Sequence, residues 1–120
     1  MILMPKLYKT VTVSGVANEE ALETLITSTT VERKHITAVY LCETTSPRNG
    51  DAFIRFYIER EKIGEVPINL FQSDLANKMY MVVPKVVLDV DLPEGQSLIV
   101  GVVSGTTASD FVFTVEYELT

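Results

Sequence analysis

One histidine, His35, and one cysteine, Cys42, limit the chemistry open to this chain. A single histidine excludes a multi-histidine metal site, and any Ser/His/Asp relay would have to run through it. His35 follows Arg33 and Lys34, and cationic neighbours lower the basicity of an imidazole. It reads as a solvated turn histidine. Cys42 shares strand parity with Ile36, Ala38 and Tyr40 and reads as a small buried hydrophobe. A reactive thiolate needs a cationic neighbour or a helix N-terminus, and neither stands beside it. Asp89 and Asp91 share a strand face, with Glu94 in the adjoining turn. Oxygen ligands so placed suit Ca²⁺, but acids with a period of two are ordinarily the solvent face of a strand, and Glu116 and Glu118 read the same way. Gly101 and Gly105 precede no helix, so no phosphate-binding loop is formed. No catalytic, cofactor-binding or metal-ligating residue is assigned and no cofactor is expected. The chain is not expected to be an enzyme.

The elements that would carry these residues are strands. Of 120 residues, 37 are Val, Thr or Ile, whose branched side chains suit a pleated surface. The net charge is −6 and the basic residues are scattered, which disfavours nucleic acid and an anionic membrane surface as partners. No apolar run reaches the ~18 residues of a membrane span, and the N-terminus is not a secretory signal. The lone cysteine permits no intrachain disulfide. With 47% hydrophobic and 22% charged residues, the composition is that of an ordinary soluble globular protein, read as one domain over residues 1–120 and cytoplasmic by default.

Alternation of apolar and polar residues predicts strands at Leu7–Val13, Leu22–Val31, Ile36–Cys42, Ala52–Glu59, Glu65–Leu70, Met79–Val83, Lys85–Leu92, Leu98–Val103 and Phe111–Leu119. Asn18–Glu20 is read as a turn, with a helical turn as the alternative. Asn49-Gly50 is a strong turn signal, Glu61–Gly64 reads as a hairpin turn, and Gln72–Lys78 as a loop. In Pro93-Glu94-Gly95-Gln96, Pro is expected to set φ at the second turn position and Gly to supply the third. Pro67 confines its strand to a sheet edge. Eight or nine strands without βα alternation imply an all-β, two-sheet antiparallel sandwich. With no Trp and one Cys, the immunoglobulin hallmarks are missing, which favours an eight-stranded jelly roll.

Some strands are apolar on both faces. Leu98, Val100 and Val102 face one way, while Ile99 and Val103 face the other; Val82 with Val83 and Val86 with Val87 repeat the pattern. One face of each sheet in a sandwich ordinarily meets water, and small monomers seldom expose large apolar patches. A second copy of the chain is the expected cover, with Val82, Val83, Val87, Ile99 and Val103 as the candidate interface. Phe53, Tyr57 and Tyr80 are the alternative, an aromatic platform for carbohydrate or another ligand.

The strand Gly50–Ile58, the segment Leu88–Leu98 and the ending Gly105–Ala108 to Val115–Glu118 resemble small jelly-roll structural proteins of viruses, bacteriophages and related mobile elements, of the minor capsid, decoration or head-fibre type. The resemblance implies a virion or assembly component that acts by packing, as a homo-oligomer and commonly a trimer, with other virion proteins as further partners. It carries no functional residues over.

Overall fold

The computed structural model describes residues 5–45, 51–71 and 84–120. Through them run β1 (Leu7–Val13), β2 (Glu20–Thr27), β3 (Lys34–Glu43), β4 (Phe53–Ile58), β5 (Glu61–Pro67), β6 (Lys85–Leu92), β7 (Ser97–Val103) and β8 (Phe111–Leu119), with one 3-10 turn at Ile68–Phe71. They form two antiparallel four-stranded sheets, ordered β1–β8–β3–β6 and β2–β7–β4–β5. The ladders nest: β4 pairs β5, β3 pairs β6, β2 pairs β7 and β1 pairs β8. This is one long hairpin rolled over on itself, and β3–β8 and β4–β7 pairing closes the roll. The expected jelly roll is therefore the observed fold.

The alternation explains what fills the centre. Ile54 and Phe56 from β4, Leu98, Val100 and Val102 from β7, and Phe111, Phe113 and Val115 from β8 are all fully buried. Residues between them point outward, as the period of two requires. Ile68 and Phe71 add to the core from the 3-10 turn, where a strand to Leu70 was expected.

The turns hold the two sheets in register. Lys34 is buried and donates its Nζ to the carbonyls of Thr27 (2.8 Å) and Glu32 (3.2 Å). Thr29 closes a local turn with Glu32, accepting its N–H on Oγ1 at 2.9 Å, so β2 stops at Thr27 instead of running to Val31. The opposing turn has Gly95 at φ 80° and Gln96 donating to the Pro93 carbonyl at 3.0 Å. Gly95 takes the third position as expected, but Pro93 takes the first. Between β4 and β5 the hairpin turn is Glu59-Arg60, with Glu59 at φ 56° and Ile58 paired to Glu61. Glu61–Gly64 thus lies within β5, which among the described strands stands at a sheet edge as Pro67 required. Asn18 sits in a turn at φ 59°. The expected strand Met79–Val83, the loop Gln72–Lys78 and the Asn49-Gly50 turn lie outside the described residues.

Candidate functional site

The outward face of the β2–β7–β4–β5 sheet is laid out in three rungs: Glu20, Val103, Phe53 and Pro67; Leu22, Gly101, Arg55 and Glu65; Thr24, Ile99, Tyr57 and Lys62. The outward-facing interface candidates of β7, Ile99 and Val103, therefore share one face with the platform residues Phe53 and Tyr57. Leu22, which the sequence reading did not single out, joins them and is 59% exposed; Phe53 is 43% exposed. Val87 is 68% exposed but stands on β6, on the outer face of the other sheet. Val82, Val83 and Tyr80 lie outside the described residues.

Gly101 shapes the middle of this face. A Cβ there would overlap the Glu20 carboxylate, which crosses the strand at that point. Glu20 Oε2 accepts a hydrogen bond from the Tyr57 hydroxyl at 2.6 Å and lies 3.6 Å from Arg55 Nη1. Arg55 Nε donates to Glu65 Oε1 at 2.6 Å, and Lys62 Nζ lies 3.8 Å from the same oxygen. Burial, then the bond to Glu20, raises the Tyr57 pKa above its ordinary value. The Arg55 bond holds Glu65 below the usual carboxylate range. A depression of about 310 Å³ opens beside this network, lined by Glu20, Leu22, Tyr57, Glu59, Arg60 and Ile99.

The outer face of the β1–β8–β3–β6 sheet is built differently. Tyr8, Glu116, Ala38 and Val87 form one rung, and Thr10, Thr114, Tyr40 and Lys85 the next. Ala38 is buried at 4% exposure, and its small side chain leaves room for Glu116. Thr37 Oγ1 donates to Glu116 Oε1 at 2.9 Å, Tyr40 donates to Oε2 at 3.0 Å, and Lys6 Nζ lies 3.3 Å from Oε1. These donors, Thr37 first, hold Glu116 below its ordinary range against the opposing effect of burial. Glu116 is thus a nearly buried polar anchor, not the solvated acid that its spacing suggested.

Two further expectations are corrected here. The β3 ladders shift register between Ile36 and Ala38; this bulge turns Tyr40 and Cys42 outward while Val39 and Leu41 are buried. Cys42 is therefore partly exposed. His35 lies in β3, not in a turn. Its Nδ1 is 2.6 Å from Asp91 Oδ1 and its Nε2 is 2.7 Å from Asp89 Oδ1. Hydrogen bonds to Asp91 and then Asp89 raise its pKa above 6.5, opposite to the effect expected from Arg33 and Lys34. Glu94 bonds Thr30 Oγ1 at 2.6 Å and Arg33 at 3.1 Å. Asp89, Asp91 and Glu94 thus answer to donors within the chain. Among the described residues no three His, Cys, Asp or Glu side chains gather as a metal site, and no helix is long and apolar enough to cross a membrane.

No protein-family model matches the sequence, and no curated protein is significantly similar to it. Among solved structures, the chain is similar in fold to a chain of the acidic stable capsid structure of Helicobacter pylori bacteriophage KHP30. The TM-score is 0.56 at 13% identity, covering 98% of this chain and 94% of that one. A more distant likeness is to the nucleoplasmin-like N-terminal domain of Drosophila FKBP39, with a TM-score of 0.42 at 16% identity over 96% and 90% of the two chains. The resemblance to viral structural β proteins holds at the level of the fold.

Proposed function

We propose that this chain is a non-enzymatic structural protein that associates with copies of itself through the outer face of the β2–β7–β4–β5 sheet, as a component of a virion. The observation that carries this reading is the gathering of Leu22, Phe53, Tyr57, Ile99 and Val103 on one outward face. The charges between them, Glu20, Arg55 and Glu65, have partners within the chain, so covering the face does not isolate an unpaired charge. The fold shared with a capsid chain supports the virion setting. Three copies are favoured by the resemblance to small jelly-roll virion proteins, and other virion proteins are further partners. A net charge of −6 argues against direct nucleic-acid binding.

Light scattering at micromolar concentration tests the assembly. A mass above 13.4 kDa is expected, and the mass of one chain throughout would reject the reading. A two-chain mass would retain self-association and remove the trimer. The depression beside Tyr57 favours a second reading, a ligand-binding module for carbohydrate. A specific glycan-array signal abolished by Tyr57→Ala would support it.

A further inference from the structure

Among the described residues β6 is an edge strand, bonded through its backbone to β3 alone within its sheet. Near the middle of this pairing the ladder is irregular. Ile36 pairs Val90 and Ala38 pairs Val87, so Leu88 and Asp89 stand opposite the single residue Thr37. Asp89 occupies this bulge at φ 47°, in the left-handed region, where Asp is better tolerated than most residues. The bulge places the Asp89 carboxylate on one side of the His35 ring while Asp91, directly opposite His35 in the ladder, takes the other. Both ring nitrogens therefore face carboxylate oxygens at hydrogen-bonding distance. A neutral imidazole donates from only one nitrogen and an imidazolium donates from both. With both carboxylates ionised, only the charged ring satisfies this geometry.

We propose that His35, clasped between Asp89 and Asp91, is a proton-operated latch on the edge strand β6, closed while the ring carries both protons and loosened when it loses one. Loss of the proton turns one nitrogen lone pair toward a carboxylate and removes the charge that held both acids. The other described groups near the ring do not reverse this balance. Glu118 lies opposite His35 on β8 and is paired with Lys6 at 3.2 Å. Arg33 is engaged with Glu94, and the Lys34 ammonium turns inward to the Thr27 and Glu32 carbonyls.

The sign follows from the raised His35 pKa. The latch contributes fully below the ordinary histidine value of 6.5, and its contribution is lost as pH rises through the higher folded value. It therefore loosens towards alkaline pH. The carboxylates are 78% and 84% exposed, so added salt weakens the latch.

Because His35 is the only histidine, its ring gives one NMR titration curve. This curve is recorded for the native chain, Asp89→Asn and Asp91→Asn, together with amide-exchange protection factors along β6 and, as reference, β7. The expected native midpoint lies above 6.5, and each Asn substitution lowers it. β6 protection should fall as the ring deprotonates, about tenfold for each unit by which the midpoint is raised, while β7 protection stays level. A native midpoint at or below 6.5, or β6 protection that ignores the titration, overturns the proposal. Should an Asn variant not fold, His35→Gln takes its place. It must abolish the pH dependence of β6 protection, and persistence of that dependence overturns the latch equally.

Discussion

The outer faces of the two sheets solve the same problem in opposite ways. On the β1–β8–β3–β6 face, side chains bond one another along the rungs: Thr10 with Thr114 at 2.9 Å, Tyr40 and Thr37 with Glu116, and His35 with two aspartates. Its two strongly exposed apolar side chains, Tyr8 and Val87, stand at opposite ends of one rung with Glu116 and Ala38 between them. On the β2–β7–β4–β5 face, a compact polar network centred on Gly101 is flanked by Leu22, Phe53, Ile99 and Val103. There the Glu20, Arg55 and Glu65 charges are paired, and the apolar residues share one outward face. The comparison teaches that apolar residues on both sides of a strand count as evidence of a partner only where they gather with others into one patch. Val86 is packed against the core, while Val87, though exposed, stands apart at the β6 end of its rung.

The largest effect separates core from face. Val100→Asp places a charge where the native side chain is fully buried and should cost more than ~4 kcal/mol. Loss of the β-type circular dichroism signal and of a cooperative urea transition would show it. Ile99→Asp, one residue away but outward, should leave the chain folded and reduce the mass seen by light scattering to that of one chain. Val103→Asp should act in the same way, and Val87→Asp on the opposite face should leave the mass unchanged. If Val87→Asp dissociates the assembly instead, the two faces have been assigned in the wrong order.

A smaller effect is expected from Gly101→Val, which displaces Glu20 from Tyr57 and Arg55. Roughly 1–3 kcal/mol should be lost in urea denaturation, and in a spectrophotometric titration the Tyr57 phenol should titrate lower while keeping the part of its upward shift that burial causes. The smallest concerns acid. Glu116 is held below its ordinary value of 4.5, so its contribution is present above that pH and is lost as pH falls through the lowered folded value. Glu116→Gln should flatten that part of the pH profile by about 1 kcal/mol, read from urea midpoints.

The alternation made the two-sheet architecture readable. β1, β6 and β8 begin and end where the period of two predicted them, because apolar and polar residues alternate along them between clear stops. What stayed hidden depends on single inserted residues. The bulge at Thr37 moves Cys42 to the other face, and the bulge at Asp89 delivers a second carboxylate to His35. Neither Thr nor Asp announces such a shift. The Glu20 network was legible in one respect: a glycine between Val100 and Val102, inside a strand, signals close approach by another group. The partner that approaches, on β2, is set by strand order, which local periodicity does not encode.

The nesting of the strand pairs has a consequence for the route by which this chain folds. The β4–β5 hairpin closes over a two-residue turn, whereas the outermost pair brings together Thr10 and Thr114, 104 residues apart. Contacts of such long sequence separation slow folding, because the chain must lose loop entropy before they form. With β4–β5 in place, β3–β6 and β2–β7 pairing each shorten the loop that the next pair has to close. The roll is therefore expected to assemble from its central hairpin outward. The corresponding kinetic signature is φ-values high in β4 and β5 and lowest in β1 and β8. Conservative substitutions in β1 should then accelerate unfolding while leaving the folding rate nearly unchanged.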